Sequence, residues 1–212
     1  MNNSILITRP EHDVATSYIS YYAGLIIKDI ISKGIAYKDF QGKELIAENV
    51  HKFLVKQDPK LLFLNGHGSE DAIEGSRGTI LFSIKDKHLL KDRMIYARSC
   101  HLGARFGKEI VEKGCFIGYD VPFMFYTDTG RPSNDKVASY VLEPSNEVMN
   151  ALLKGNTALV AHNRSKEAMR KNMNKLLVEG HSMYIVEALW NNYNGQVIYG
   201  DGTNSIHNDI LH

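Results

Sequence analysis

The sequence predicts an α/β fold, with a mostly parallel central sheet flanked by helices on both faces. Two observations predict it. Apolar runs of strand length (SILIT at 4–8, KLLFLN at 60–65, RMIYARS at 93–99, CFIGY at 115–119) alternate with longer stretches of helical periodicity, the β-α-β rhythm of a parallel sheet. The KLLFLN run is apolar almost throughout, as a strand covered on both faces must be.

In chain order, SILIT leads into a helix over 13–33 with Ala15, Tyr18, Ile19, Tyr22, Ile26 and Ile30 on one face, stopped by Gly34. A weaker strand over 35–40 precedes a helix over 43–56 and the strand KLLFLN. GSRGTILFS at 75–83 reads as a small hairpin or strand, followed by a short helix over 85–91 and the strand RMIYARS. A helix over 103–113 and CFIGY come next, and 121–143, with TDTGRPSND inside it, reads as a long loop whose composition promises mobility. Helices over 145–154, 157–178 and 182–193 follow, and GQVIYGDG closes the series with a strand and turn. No repeat, low-complexity tract or Pro/Gly/Ser linker divides the chain, so residues 1–212 are expected to form one domain.

Composition narrows the function. With 25 basic against 24 acidic residues, the net charge of +1 offers no electrostatic attraction to nucleic acid or an anionic membrane. The basic cluster RSKEAMRKNMNK at 164–175 has the helical spacing of a solvated face. Two cysteines, Cys100 and Cys115, make no disulfide framework, and nine histidines show no metal-ligand spacing. A reducing cytoplasm is the expected location, and MNNSILITRP has neither the basic flank of a signal peptide nor the length of an anchor.

Two strand ends carry the chemistry. LLFLNGHGSE at 61–70 ends an apolar run on His67 between Gly66 and Gly68, and MIYARSCHLG ends another on Cys100. In open α/β sheets ligands bind beyond the carboxyl ends of strands. A free cysteine by itself is more often a small core residue, as Cys115 reads within GCFIGY. Two reactive side chains at successive strand ends, each beside glycine, argue for chemistry instead. If the strands are neighbours, the imidazole serves the thiol as general base and acid. The N–H groups of Gly68 and Cys100 then offer an oxyanion hole, and a helix starting near Gly103 favours the thiolate. Other thiol chemistries fail on spacing. A C-x5-R phosphatase loop needs arginine where Phe106 stands, a G-x-C-x-G elbow needs glycine where Arg98 and Leu102 stand, and papain-like enzymes place cysteine before histidine.

FLNGHGS followed by IYARSCHLG resembles the caspase-like clan of cysteine peptidases, which includes caspases, metacaspases, legumains, gingipains, separases and bacterial CHAT domains. The closing VIYGDG and the opening ITRPEHDVATSYIS are similar to the corresponding parts of CHAT and gingipain-type chains. The resemblance implies a caspase-like α/β/α sandwich and a His67–Cys100 dyad with an oxyanion hole at Gly68 and Cys100. It further implies peptide-bond hydrolysis without metal or organic cofactor; the endopeptidase expected from it acts on one or few protein substrates, and the chain's length leads to the expectation of a protein activator. By analogy it points to bacterial defence or regulated death. His101 matches the Cys-His pair of metacaspases and reads either as shaping the approach to the thiol or as a surface residue.

Specificity leaves several readings open. Arg98, two positions before the cysteine, stands where clan members line the pocket for the residue before the scissile bond (P1), and its guanidinium favours an acidic P1 with Arg9 assisting. Asp120, just after CFIGY, favours a basic P1; both together make a mixed-charge pocket, and a surface-paired Arg98 makes none. Arg98 weighs towards an acidic P1. Two other functions stand beside the peptidase: a catalytically silent caspase-like scaffold that binds protein, and a flavodoxin-like ligand module, which lacks any G-x-G-x-x-G or P-loop pattern.

Overall fold

The computed structural model describes residues 2–206; Met1 and residues 207–212, which the expected single domain includes, lie outside the described residues. Among the described residues eight strands form, β1 (Asn2–Arg9), β2 (Ala36–Gln41), β3 (Pro59–Asn65), β4 (Ala72–Glu74), β5 (Ile80–Ser83), β6 (Met94–Arg98), β7 (Cys115–Tyr119) and β8 (Gln196–Gly200). Seven α-helices accompany them: α1 (Val14–Ser32), α2 (Ala47–Gln57), α3 (Lys87–Leu90), α4 (Phe106–Ile110), α5 (Lys136–Leu153), α6 (Ala158–Val178) and α7 (Met183–Gly195). The main sheet has the order β2-β1-β3-β6-β7-β8, and β4 and β5 pair as a separate hairpin. All main-sheet neighbours are parallel except β7 and β8.

Strand alternation splits the core in two. Ile5, Ile7, Leu61, Phe63, Met94, Tyr96, Ile117 and Tyr119 face α1, α5, α6 and α7. Leu6, Leu62, Leu64, Ile95, Ala97 and Phe116 face α2, α3, α4 and the hairpin. Successive strand residues point to opposite faces, so a strand buried on both must be apolar throughout, and β3 is buried along its whole length. Truncating a residue such as Phe63, fully enclosed in this layer, to alanine would cost about 3–5 kcal/mol. Among the described residues, no helix is long and apolar enough to cross a membrane.

Chain order reverses between β1 and β3. β1 leads through α1 to β2 at one edge, and the chain then returns to place β3 on the other side of β1. Such a switch point opens a crevice at the carboxyl ends of the strands.

Two helix assignments need correction. The predicted helix over 103–113 contracts to α4, and the chain between Cys100 and Arg105 forms turns instead. A Cβ on Gly103 would lie 2.6 Å from Val197 Cγ2 and 3.0 Å from the Tyr119 carbonyl carbon, so this stretch is drawn against the end of β7. Cys100 therefore has no helix amino terminus directly behind it, and the dipole argument for its thiolate falls. The loop predicted over 121–143 ends at 135, because α5 runs through Pro144. Proline lacks the N–H that would reach the Tyr140 carbonyl. Asn172 of α6 donates its Nδ2–H to that oxygen at 2.7 Å and restores the missing bond.

Candidate active site

The two candidate residues, His67 and Cys100, are placed by strand register. Asn65 of β3 and Arg98 of β6 are the last paired residues of neighbouring parallel strands, so His67 and Cys100 stand equally far beyond the sheet rim. The rim is stitched tightly. Asn65 N–H donates to Thr8 Oγ1 at 2.7 Å, Asn65 Nδ2 to Thr8 O at 2.9 Å, and Arg98 Nε to Asn65 Oδ1 at 2.8 Å. The ends of β1, β3 and β6 are thereby held as one unit.

Both glycines around His67 are required by close approach. A Cβ on Gly66 would stand 2.1 Å from the Glu74 carbonyl oxygen, and one on Gly68 would stand 2.0 Å from Ser99 Oγ and 3.1 Å from Cys100 O. The strand ends bearing histidine and cysteine thus touch through backbone. Gly68 also bridges Ile73 of the hairpin, and the flanking bonds run from Ser69 N–H to Ala72 O and from Glu74 N–H to His67 O, both 2.9 Å. The N–H of Gly68 lies outside that ladder. His101 follows the cysteine with φ +58°, and its N–H donates to Val121 O at 3.0 Å. A left-handed non-glycine residue is held there by its surroundings and turns the chain sharply after Cys100.

His67 and Cys100 line one small cleft, about 40 Å³, with Ala15, Thr16 and Ile19 of α1, Gly66, Arg98, Ser99, Phe123 and Phe125. Cys100 is half-buried, whereas Cys115 is sealed in the core, where burial pushes its thiol up to about 12. Sequence reasoning missed three contributors. Phe123 and Phe125 come from the segment after β7, which is pinned rather than loose: Asn192 brackets Met124 with bonds of 2.9 and 2.7 Å, and buried Asp135 accepts from Asp128 N–H at 2.7 Å and Thr129 N–H at 3.1 Å.

The third is Asp13, the N-cap of α1. Its Oδ1 accepts from Thr16 N–H at 2.8 Å, while its Oδ2 lies 2.6 Å from His67 Nε2. Partial burial raises this carboxyl, but the Thr16 N–H, His67 and the Thr16 hydroxyl outweigh it and hold it at about 2. The capping box at 13–16 was a signal available in the sequence; its alignment with His67, 54 positions away, was not.

Arg98 is fully buried. Besides Asn65, its guanidinium donates to Ser145 Oγ at 3.3 Å, Asn146 Oδ1 at 2.9 Å and Ile19 O at 2.8 Å, and it lies 4.8 Å from the centre of the Phe63 ring. Burial pushes it down to about 10, so it stays charged at neutral pH. Among the described residues no carboxylate pairs with it, and one guanidinium N–H keeps no partner. Arg9 and Asp120 do not join it. Arg9 is clamped on Asp39, with Nη2 2.6 Å from Oδ2, and Asp120 lies outside the cleft with its field felt at Lys166.

Sheet order, the two helix layers and the cleft at the switch point define an α/β/α sandwich of caspase-like type. Among solved structures, the chain is similar to one titled as the complex of Porphyromonas gingivalis RgpB pro- and mature domains, with a TM-score of 0.64 at 12% identity. The match covers 95% of this chain and 48% of that one, so the chain spans about half the length of its neighbour. No family model matches the sequence, and no curated protein does.

Proposed function

We propose that the chain is a single-domain cysteine endopeptidase in which Cys100 is the nucleophile, His67 the base and acid, and Asp13 the residue that positions His67. The observation that carries this reading is the meeting of His67 and Cys100 in one cleft at adjacent strand ends, with the Asp13 carboxylate 2.6 Å from Nε2. Asp13 occupies Nε2, which leaves Nδ1 for the thiol. Nδ1 takes the Cys100 proton, Sγ attacks the peptide carbonyl carbon, and the oxyanion is received by the N–H groups of Gly68 and Cys100. The imidazolium then gives its proton to the departing amine. Water, deprotonated by the same ring, releases the acyl group as a carboxylic acid and restores the thiol.

The cleft supports an acidic P1 residue. Arg98 has an N–H to spare, and the buried Ser99 hydroxyl, which also lines the cleft, has no partner. A guanidinium and a free hydroxyl in the wall of the cleft favour a ligand that brings acceptors, and a side-chain carboxylate brings them with the opposite charge. The cleft is small, about 40 Å³, and Phe123 and Phe125 form part of its wall. The segment that carries them is the place for a protein activator to act.

Iodoacetamide labelling tests the nucleophile, with Cys100 modified far faster than Cys115 and Cys100→Ala removing all cleavage. Equal labelling of both thiols, or cleavage surviving in Cys100→Ala, sinks the reading. A peptide panel varied only at P1 tests the pocket: aspartate cleaved best supports it, arginine cleaved best overturns it.

A further inference from the structure

We propose that His12, Asp13 and His67 form a binding site for a divalent transition-metal ion of the zinc type, whose occupation withdraws His67 from the dyad. The first half stands on geometry alone; the second rests on the catalytic reading of His67. One ligand atom from each residue can be chosen so that all lie within 4.8 Å of one another, the one such group among the described residues. Asp13 Oδ2 lies 2.6 Å from His67 Nε2 and 3.6 Å from His12 Nε2, and the two imidazoles meet edge to face with ring centres 5.6 Å apart. Zinc bonded to nitrogen and oxygen at about 2.0–2.2 Å in a tetrahedron sets its ligands about 3.3 Å apart. The 3.6 Å separation already fits, and small side-chain rotations open the shorter one. Two imidazoles and a carboxylate are a borderline-soft donor set that suits zinc over calcium or magnesium.

The ligands are also held from behind. Asp13 Oδ1 accepts from the N–H and the hydroxyl of Thr16, both at 2.8 Å, leaving Oδ2 to face the histidines, and His12 N–H donates to Thr16 Oγ1 at 3.1 Å. The bonds to Oδ1 orient the Asp13 carboxylate as outer bonds orient metal ligands, and the His12 bond fixes its backbone. The positive end of α1 opposes a cation here, and the ionised Asp13 carboxylate offsets it. In the sequence the three residues show no ligand spacing, because His67 arrives from another strand end.

The consequence follows from the tautomer. A metal on Nε2 displaces the proton shared with Asp13 and leaves the neutral ring protonated on Nδ1. That nitrogen can then no longer accept from Cys100, so the dyad is silenced without any change at the sulfur.

The test is calorimetric titration of Zn²⁺ into the whole protein and into His12→Gln and Cys100→Ala, with thermal melts confirming that each is folded. The site predicts one ion bound by the wild type, binding weakened roughly tenfold or more in His12→Gln, and binding retained in Cys100→Ala. Wild-type affinity in His12→Gln, absence of binding in the wild type, or loss in Cys100→Ala alone would each overturn it. In cleavage assays, Zn²⁺ should inhibit the wild type and inhibit His12→Gln at least tenfold less sensitively. Should no cleavage be found while His12-dependent binding is, the catalytic reading fails and the metal site remains.

Discussion

Asp13→Asn separates the two jobs of that carboxylate. Asparagine caps helices as well as aspartate does, so its oxygen can keep the 2.8 Å bond from Thr16 N–H and α1 should stay capped. The other end then presents an NH₂ to His67 Nε2, where an acceptor stood. Two donors face each other unless the ring moves its proton to Nδ1, the atom meant to receive the thiol proton. A charge-assisted hydrogen bond contributes about 1.5–3 kcal/mol when shielded. His67 and Asp13 have side chains 43% and 41% exposed, so solvent reduces this one to about 1–1.5 kcal/mol. That alone is about tenfold in rate, and the wrong tautomer deepens the loss to roughly 10–100-fold, less than the ~10⁴ of a fully buried triad. The assays are kcat/KM on a cleaved peptide, the rate of Cys100 alkylation, and imidazole nitrogen NMR, which reads the tautomer and would not respond to a merely structural role. Stability should fall by no more than the about 1–1.5 kcal/mol of that bond, since the cap is kept. Activity within about twofold of wild type, with the tautomer unmoved, would refute the positioning role.

Gly68→Ala places a methyl 2.0 Å from Ser99 Oγ, so the two strand ends must part; a loss of about 1–3 kcal/mol in urea denaturation is expected, with activity falling further than stability. Arg98→Met leaves the acceptors Asn65 Oδ1, Asn146 Oδ1 and Ile19 O without their donor, partly offset by removing a buried charge, and should cost about 2–4 kcal/mol; an unchanged denaturation midpoint would contradict that network. His162 is buried, which lowers it to about 4 from the ordinary histidine value of 6.5, so the neutral ring belongs to the folded state. Its contribution is present above about 6.5 and is lost as pH falls towards 4, up to about 3 kcal/mol, and His162→Phe should flatten that acid-side decline in denaturation curves.

The rhythm of strands and helices was legible because each segment's period is written in its own neighbours: β1, β3, β6 and β7 coincide with the apolar runs, and α6 with its helical stretch, to within a residue or two. The strand ends that carry His67 and Cys100 were legible for the same reason, a strand stop beside glycine. The loop expected to 143 ran too far, because Asn172, whose bond lets α5 pass through Pro144, sits on another helix. Gly103 was overlooked as a limit to the helix, since what crowds it comes from β7 and β8.

Alone, the sequence determined at which strand ends His67 and Cys100 emerge, since local periodicity and turn residues act within a few positions. Tertiary structure decided their partners. It brought Asp13 of the first helix cap onto His67, turned Arg98 inward onto the carbonyl of Ile19 and the side chains of α5, and tied Arg9 to Asp39 beyond the cleft. Each of those pairings depends on where the chain reverses across the sheet, a choice made by packing the whole core and not by any short stretch of it.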